Sequence, residues 1–199
     1  MKLGILGATF DPVYKAHILM AKYALDYCEY VLLTPCTKPP HKDNAGITDD
    51  NIRYTMLCLA LDGYEKLIAS DMELKRATTT YTIDTLRQVK ELYPVFDEII
   101  YIIGADTLFQ LKTWREYEEV FKLCTFLVFG RSGFTEEQIT EQIEIFKKDY
   151  GADIIFDIRS ISEISSTAIR KGIAEQDNSI EWMLDKKVYR YIKENGIYK

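Results

Sequence analysis

Six short apolar runs recur along the sequence with amphipathic stretches between them: residues 2–6 (KLGIL), 30–33 (YVLL), 66–70 (KLIAS), 98–103 (EIIYII), 125–129 (TFLVF) and 153–158 (DIIFDI). Runs of this length and spacing read as strands. The stretches between them carry helix signals. Ile83, Leu86, Val89 and Tyr93 keep one helical face until Pro94 ends the run, and Ile139, Ile143, Phe146 and Tyr150 do so between Thr135 and Gly151. Thr135 with Gln138 makes a capping box. This alternation predicts an α/β fold: a Rossmann-like, doubly wound, mostly parallel sheet with helices on both faces. Residues 185–199 read as a terminal helix closed by Asn195 and Gly196. No linker, repeat or low-complexity segment interrupts the pattern, so the 199 residues are expected to form one domain, 1–199, with a helical part from about residue 160.

Composition narrows the function classes. A chain that is 47% hydrophobic and 28% charged is neither disordered nor collagen-like. Its formal net charge of −6 argues against a broad grip on nucleic acid or an anionic membrane, so any anion site must be local. The apolar runs are too short to span a bilayer and no signal-peptide core precedes Asp11, which predicts a cytoplasmic protein. Cys28, Cys36, Cys58 and Cys124 are widely spaced, and three lie in apolar stretches where a reduced thiol packs as a small hydrophobe.

An open parallel sheet binds ligands beyond the carboxyl ends of its strands, so the loops after the strands hold the candidates. The first strand runs into GATFDPVYKAH, residues 7–17, and then into an apolar helix. Free backbone N–H groups and the helix dipole suit such a junction to an anion, although the same stretch also serves as a plain strand-to-helix turn. Neither GxxxxGK[ST] nor GxGxxG is completed here, which disfavours a kinase-like or dehydrogenase-like cradle. In ISEISSTAIR, Ser165 or Ser166 can cap a short helix whose first-turn N–H groups converge with Arg170 on one anion, or act as a cap alone. Gly104 and Asp106 follow the most apolar strand; the glycine admits a close ligand and the aspartate can accept from an adenosine or cap a helix. His41 lies in KPPHK, where Pro39 and Pro40 stiffen the loop and Lys42 adds positive charge. Trp114 sits in a polar stretch, KTWREYEE, that core packing explains poorly.

GATFDPVYKAH resembles the (G)GTFDPxHxGH segment of the HxGH nucleotidylyltransferases, matching at Gly7, Thr9, Phe10, Asp11, Pro12 and His17. Two positions depart from it: Tyr14 stands where the first His belongs, and Ala16 replaces the usual Gly. PPHK, YTIDT (residues 81–85), GAD followed by Trp114, ISSTAIR (164–170) and the ending VYRYIKENGIY extend the resemblance over nearly the whole chain, toward the nicotinate mononucleotide adenylyltransferases.

That resemblance implies adenylyl transfer from ATP to nicotinate mononucleotide in NAD synthesis. It implies ATP contacts at Gly7, Thr9, Phe10, Tyr14 and His17 in the first loop, at Gly104 and Asp106, and at Ser166, Thr167 and Arg170. It implies that His17, Lys42 and Arg170 stabilise the reacting phosphates, and that His41, Lys42, Thr82, Thr85 and Trp114 hold the acceptor, with the indole against its ring. The metal would be Mg²⁺ brought with ATP, and no protein metal site is expected. A related transferase acting on nicotinamide mononucleotide, phosphopantetheine or a cytidylyl acceptor stays open, as does a weakly active nucleotide-binding homologue, which the departure at Tyr14 suggests.

Overall fold

The computed structural model describes residues 1–37, 46–76, 78–161 and 164–199. Its strands are β1 (Lys2–Ala8), β2 (Tyr30–Pro35), β3 (Leu67–Ala69), β4 (Glu98–Gly104), β5 (Thr125–Arg131) and β6 (Ile154–Ile161). They form one sheet in the order β3-β2-β1-β4-β5-β6. Every described pairing is parallel, so the sheet is more uniform than the expected mostly parallel one. The chain winds outward one way through β2 and β3 and the other way through β4 to β6, so the strand order reverses between β1 and β4.

Alternation along each strand separates two cores. Leu6, Val31, Leu33, Ile100, Ile102, Leu127 and Phe129 face one side of the sheet, whereas Leu3, Ile5, Leu32, Ile99, Tyr101, Ile103, Phe126 and Val128 face the other. Both faces are therefore apolar along the central strands, as a sheet covered by helices on both sides requires. The first side is covered by α1 (Lys15–Ala24), α2 (Asp50–Leu61), α8 (Ser166–Ala174) and α9 (Lys186–Asn195). The second receives α4 (Thr82–Leu92), α6 (Tyr117–Leu123) and α7 (Glu136–Tyr150), along with Met72 of the short α3 (Met72–Arg76) and Leu108 of α5 (Ala105–Leu108). At roughly 1.5–3 kcal/mol for each fully buried large aliphatic or aromatic side chain, these two layers supply the main drive for folding.

Local signals set the helix ends. Thr135 Oγ1 accepts from Gln138 N at 3.2 Å while Gln138 Oε1 accepts from Thr135 N at 2.9 Å, and Gly151 at φ 63° closes α7. α9 ends in the same way at Gly196. It packs on α2, with Lys187 paired to Asp62 just beyond that helix. Among the described residues no helix is long and apolar enough to cross a membrane. None of the four cysteines is in a disulfide; Cys28, Cys36 and Cys124 are buried and Cys58 is exposed.

Candidate active site

The loop after β1 is held in a shape that its sequence does not adopt by default. Phe10 has φ 50°, a left-handed conformation that costs a non-glycine residue on the order of 1 kcal/mol. Burial offsets that cost: its ring is 1% exposed and meets His17 edge-on at 4.9 Å. Phe10 is therefore a support beneath His17, and it also lines the cleft described below. Below the loop, the fully buried Arg53 of α2 donates Nη1–H to the Thr9 carbonyl and Nε–H to the Thr48 carbonyl at 2.9 Å, and it pairs with Asp50. A buried guanidinium bonded to two carbonyls and a carboxylate fixes the backbone on which the loop turns.

At the start of α1, the Tyr14 N–H donates to His17 Nδ1 at 3.3 Å. With Nδ1 accepting, a neutral imidazole carries its proton on Nε2, which makes that atom the donor His17 presents. Tyr14 covers the imidazole, ring centroids 4.0 Å apart. Burial raises the phenol pKa, Arg131 opposes and Asp106 adds to the rise, so the hydroxyl stays protonated within the field of both groups.

The opposite wall is the start of α8. Ser165, of the two candidate serines, is the cap and accepts from Ala168 N at 3.1 Å. Ser166 Oγ donates to the Pro12 carbonyl at 3.3 Å, and Arg170 Nη1–H donates to the Asp11 carbonyl at 2.7 Å. The second Arg170 nitrogen lies 3.4 Å from Thr167 Oγ1. Two side chains of α8 thus staple its N-terminus to the first loop, bringing the free N–H groups of the first turn next to the His17 loop.

At the end of β4, Gly104 lines the second cleft and also makes room for a neighbour. A Cβ there would stand 2.6 Å from Asp106 Oδ1, so the glycine lets this carboxylate fold back over the strand end. Asp106 makes no cap hydrogen bond and lies inside α5, not at its cap position. Its Oδ2 accepts from Arg131 Nη1 at 2.8 Å, while Oδ1 is buried with no hydrogen-bond partner. Gly7 has a similar part: a Cβ there would lie 2.9 Å from the Tyr101 hydroxyl.

Tyr101 is the hub of the remaining wall. Its hydroxyl is 3.4 Å from Thr82 Oγ1, and its ring meets Trp114 edge-on at 5.8 Å. The half-buried Trp114 also approaches Phe126 at 6.2 Å, so core packing explains part of an indole that its polar sequence context left unexplained. Thr85 does not reach the cleft. It is fully buried, and its hydroxyl donates to Glu73 Oε1 at 2.6 Å while lying 3.1 Å from Arg76 Nη2. A direct acceptor contact at Thr85 is thus replaced by one step of support behind Glu73. Glu73 itself is 1% exposed and lines the cleft; desolvation pushes its carboxyl up to about 7, against the lowering effect of the Thr85 hydrogen bond and of Arg76.

These groups surround a cleft of about 590 Å³ that runs into a second of about 300 Å³. The two share Gly7, Tyr14, His17, Tyr101, Asp106 and Arg131, with Ala8 and Thr107 beside them. The main cleft takes in Thr9, Phe10, Ser166, Thr167 and Arg170, and the second takes in Gly104 and Trp114. His41 and Lys42 lie outside the described residues. Among the lining residues that were not expected are Arg131, Tyr101 and Glu73. Arg131 had a signal, because it closes the apolar strand β5 and so stands at a carboxyl end. Among the described residues, no cluster of three or more His, Cys, Asp or Glu could hold a metal ion. The oxygens of Asp11 are already engaged by Tyr198 OH and Thr48 N.

A cleft at the reversal point of a parallel sheet, between a histidine donor and a helix N-terminus, defines a nucleotide-binding α/β protein. The family described as cytidylyltransferase-like matches residues 5–172. Within that family the chain belongs to the nicotinate-nucleotide adenylyltransferases: it is 38% identical to the probable nicotinate-nucleotide adenylyltransferase of Clostridium botulinum (strain Okra / Type B1), over 98% of each chain. The corresponding protein of Clostridium novyi (strain NT) is also 38% identical, over 100% of this chain and 99% of that one. Among solved structures, the Plasmodium falciparum nicotinic acid mononucleotide adenylyltransferase complexed with NaAD has the same fold. Its TM-score is 0.78 at 21% identity, covering 99% of this chain and 97% of that chain.

Proposed function

We propose that the cleft catalyses attack of the 5′-phosphate of nicotinate mononucleotide on the α-phosphorus of ATP, giving deamido-NAD and pyrophosphate. An oxygen of the mononucleotide phosphate forms the new bond to the α-phosphorus, and the bond from that phosphorus to the bridging oxygen of the β-phosphate breaks. The nucleophile is already an anion at neutral pH, so the chain has to align the groups and stabilise charge. His17 Nε2–H, the first-turn N–H groups at Ser166 and Thr167, and Arg170 hold the triphosphate. Asp106, with its unpaired Oδ1, accepts from the adenosine, and Arg131 orients Asp106. Trp114 and Thr82 hold the acceptor around Tyr101; the motif resemblance alone assigns His41 and Lys42 to the acceptor and Lys42 to the reacting phosphates as well. Mg²⁺ brought with ATP would neutralise triphosphate charge, and Asp11, whose two oxygens already accept from Tyr198 OH and Thr48 N, would not be needed to hold it.

The observation that carries this reading is the stapling of α8 to the His17 loop, through Arg170 to the Asp11 carbonyl at 2.7 Å and Ser166 to the Pro12 carbonyl at 3.3 Å. It makes one anion site from two distant segments. The test is pyrophosphate release from ATP and Mg²⁺ with each acceptor in turn. Nicotinate mononucleotide is expected to exceed nicotinamide mononucleotide by at least about tenfold in kcat/KM, the effect of one charge-assisted hydrogen bond stronger by ~1.5 kcal/mol. Turnover only with phosphopantetheine, or only with CTP, would overturn the reading.

A further inference from the structure

Arg131 ends β5 where the two clefts meet, and the mechanism above uses it only to orient Asp106. With Tyr14 and His17 it lines both clefts. A Cβ at Gly104 would stand 3.9 Å from Arg131 Cδ, so the side chain leans over the end of β4, the strand beside β1 and its loop. Asp106 Oδ2 accepts from its Nη1 at 2.8 Å. A guanidinium is a planar fork of several N–H donors, and this pair takes up one side of it. Among the described lining residues, Arg131 and Arg170 are the only side chains with a permanent positive charge. Arg170 Nη1–H already donates to the Asp11 carbonyl at 2.7 Å, and its Nη2 lies 3.4 Å from Thr167 Oγ1. Tyr14, packed on His17, is a phenol and brings no charge.

Resting on the adenylyl-transfer reading given above, we propose that Arg131 is a further catalytic residue: its guanidinium donates to a non-bridging oxygen of the ATP α-phosphate and stabilises the charge that builds there as the acceptor phosphate attacks. The two substrates react where their clefts join, and Arg131 is the permanent cation at that junction. Its pairing with Asp106 does not cancel this task. The carboxylate holds Nη1 and with it the plane of the fork, so the remaining donors are placed before the substrates arrive. A donor held in advance stabilises developing charge without reorganising.

A double-variant cycle tests this, with pyrophosphate release from ATP, Mg²⁺ and nicotinate mononucleotide measured for the wild type, R131Q, R131K, Y14H and Y14H/R131Q. The side chain is 38% exposed at a strand end, so these substitutions spare the core. R131Q is expected to lower kcat by about a hundredfold, with a smaller change in KM for ATP, and R131K, which keeps the charge without the fork, by about tenfold. Tyr14→His puts an ionisable imidazole beside the same phosphates. The charged and titratable groups facing that position are Arg131, Asp106 and His17, and His17 and Asp106 are common to every variant. In the Tyr14→His background the loss from R131Q should therefore shrink to about tenfold near pH 6 and grow again as pH rises past the imidazole pKa of about 6.5. Equal losses in both backgrounds at every pH, equal kcat in R131K and R131Q, or a loss confined to KM for ATP overturns the inference; the last would mean that Arg131 acts only through Asp106. Each of these leaves the adenylyl-transfer reading intact, because the wild type still turns over. A wild type that releases no pyrophosphate with any acceptor overturns both.

Discussion

The hydroxyl of Tyr198 donates to Oδ1 of Asp11, joining the segment after α9 to the loop after β1 across 187 positions of sequence. Asp11 is 3% exposed, and its other oxygen accepts from Thr48 N at 3.2 Å. Its backbone carbonyl is the acceptor for Arg170. One residue thus ties together the first loop, the segment before α2, the start of α8 and the segment after α9. Burial and the bond to Asp11 both push the Tyr198 hydroxyl pKa upward, so it remains a donor.

Tyr198→Phe removes that donor and leaves a buried carboxylate oxygen unmet, at a cost of about 1–3 kcal/mol. The Tm is expected to fall by several degrees. The effect should also reach function: a looser Asp11 carbonyl loosens Arg170, so KM for ATP should rise more than KM for the acceptor. Thermal unfolding together with initial rates at varied ATP checks this. An unchanged Tm would show that water replaces the tyrosine and that the tie is dispensable.

Glu73 gives stability a pH dependence whose sign is fixed by the direction of its shift. Folding raises the carboxyl from 4.5 to about 7, so between those values the folded chain keeps a proton that the unfolded chain has lost. Stability then falls as pH rises through this window, is highest from this group below its unfolded pKa, and levels off above the folded one. The full effect is at most roughly 3 kcal/mol, with the lowering by Arg76 already included in the shift. In Glu73→Gln the amide keeps an acceptor for Thr85 and cannot ionise. Urea unfolding of the ligand-free protein at intervals from about pH 4.5 to 8 should show the variant gaining on the wild type as pH rises. Parallel curves for the two proteins would mean that Glu73 is ionised throughout.

What the sequence made legible was local or periodic. Thr135 and Gln138 cap α7 because a capping box involves only residues three apart, and the strands were found because both faces of a central parallel strand are apolar. The first loop and ISSTAIR could be placed at strand and helix ends, and from there in one cleft. Glu73 could not be found in this way: DMELKR is a polar stretch, and the burial of one of its acids depends on Thr37 just after β2 and on residues of α4 and β4 that are distant in sequence. Trp114 shows the same limit, since its aromatic neighbours Tyr101 and Phe126 come from two other strands. Arg131 was missed by two residues, because the apolar run stops at Phe129 while β5 continues to Arg131. Gly104 was assigned to a ligand from its position, whereas the atom nearest its missing Cβ belongs to Asp106.

The last prediction concerns the two rings at the start of α1. His17 presents Nε2–H because its Nδ1 is occupied by the Tyr14 N–H, and Phe10 and Tyr14 hold the imidazole from two sides at 4.9 and 4.0 Å. A donor oriented in this way needs no reorganisation as charge builds on the phosphates, and loss of one such donor elsewhere costs about a hundredfold or more in kcat. His17→Ala should therefore lower kcat by about that factor. The ring of Tyr14 packs on His17 while its hydroxyl lies in the field of Arg131 and Asp106. Tyr14→Phe keeps the packing and should lower kcat much less. Tyr14→His gives up the larger ring for a possible positive charge near the phosphates; kcat should rise or stay level, provided the smaller ring still holds His17 in place. Steady-state kcat for the four proteins with saturating ATP and nicotinate mononucleotide decides the matter. If His17→Ala keeps nearly full kcat, the phosphates are held by other groups and the first loop is only a structural turn.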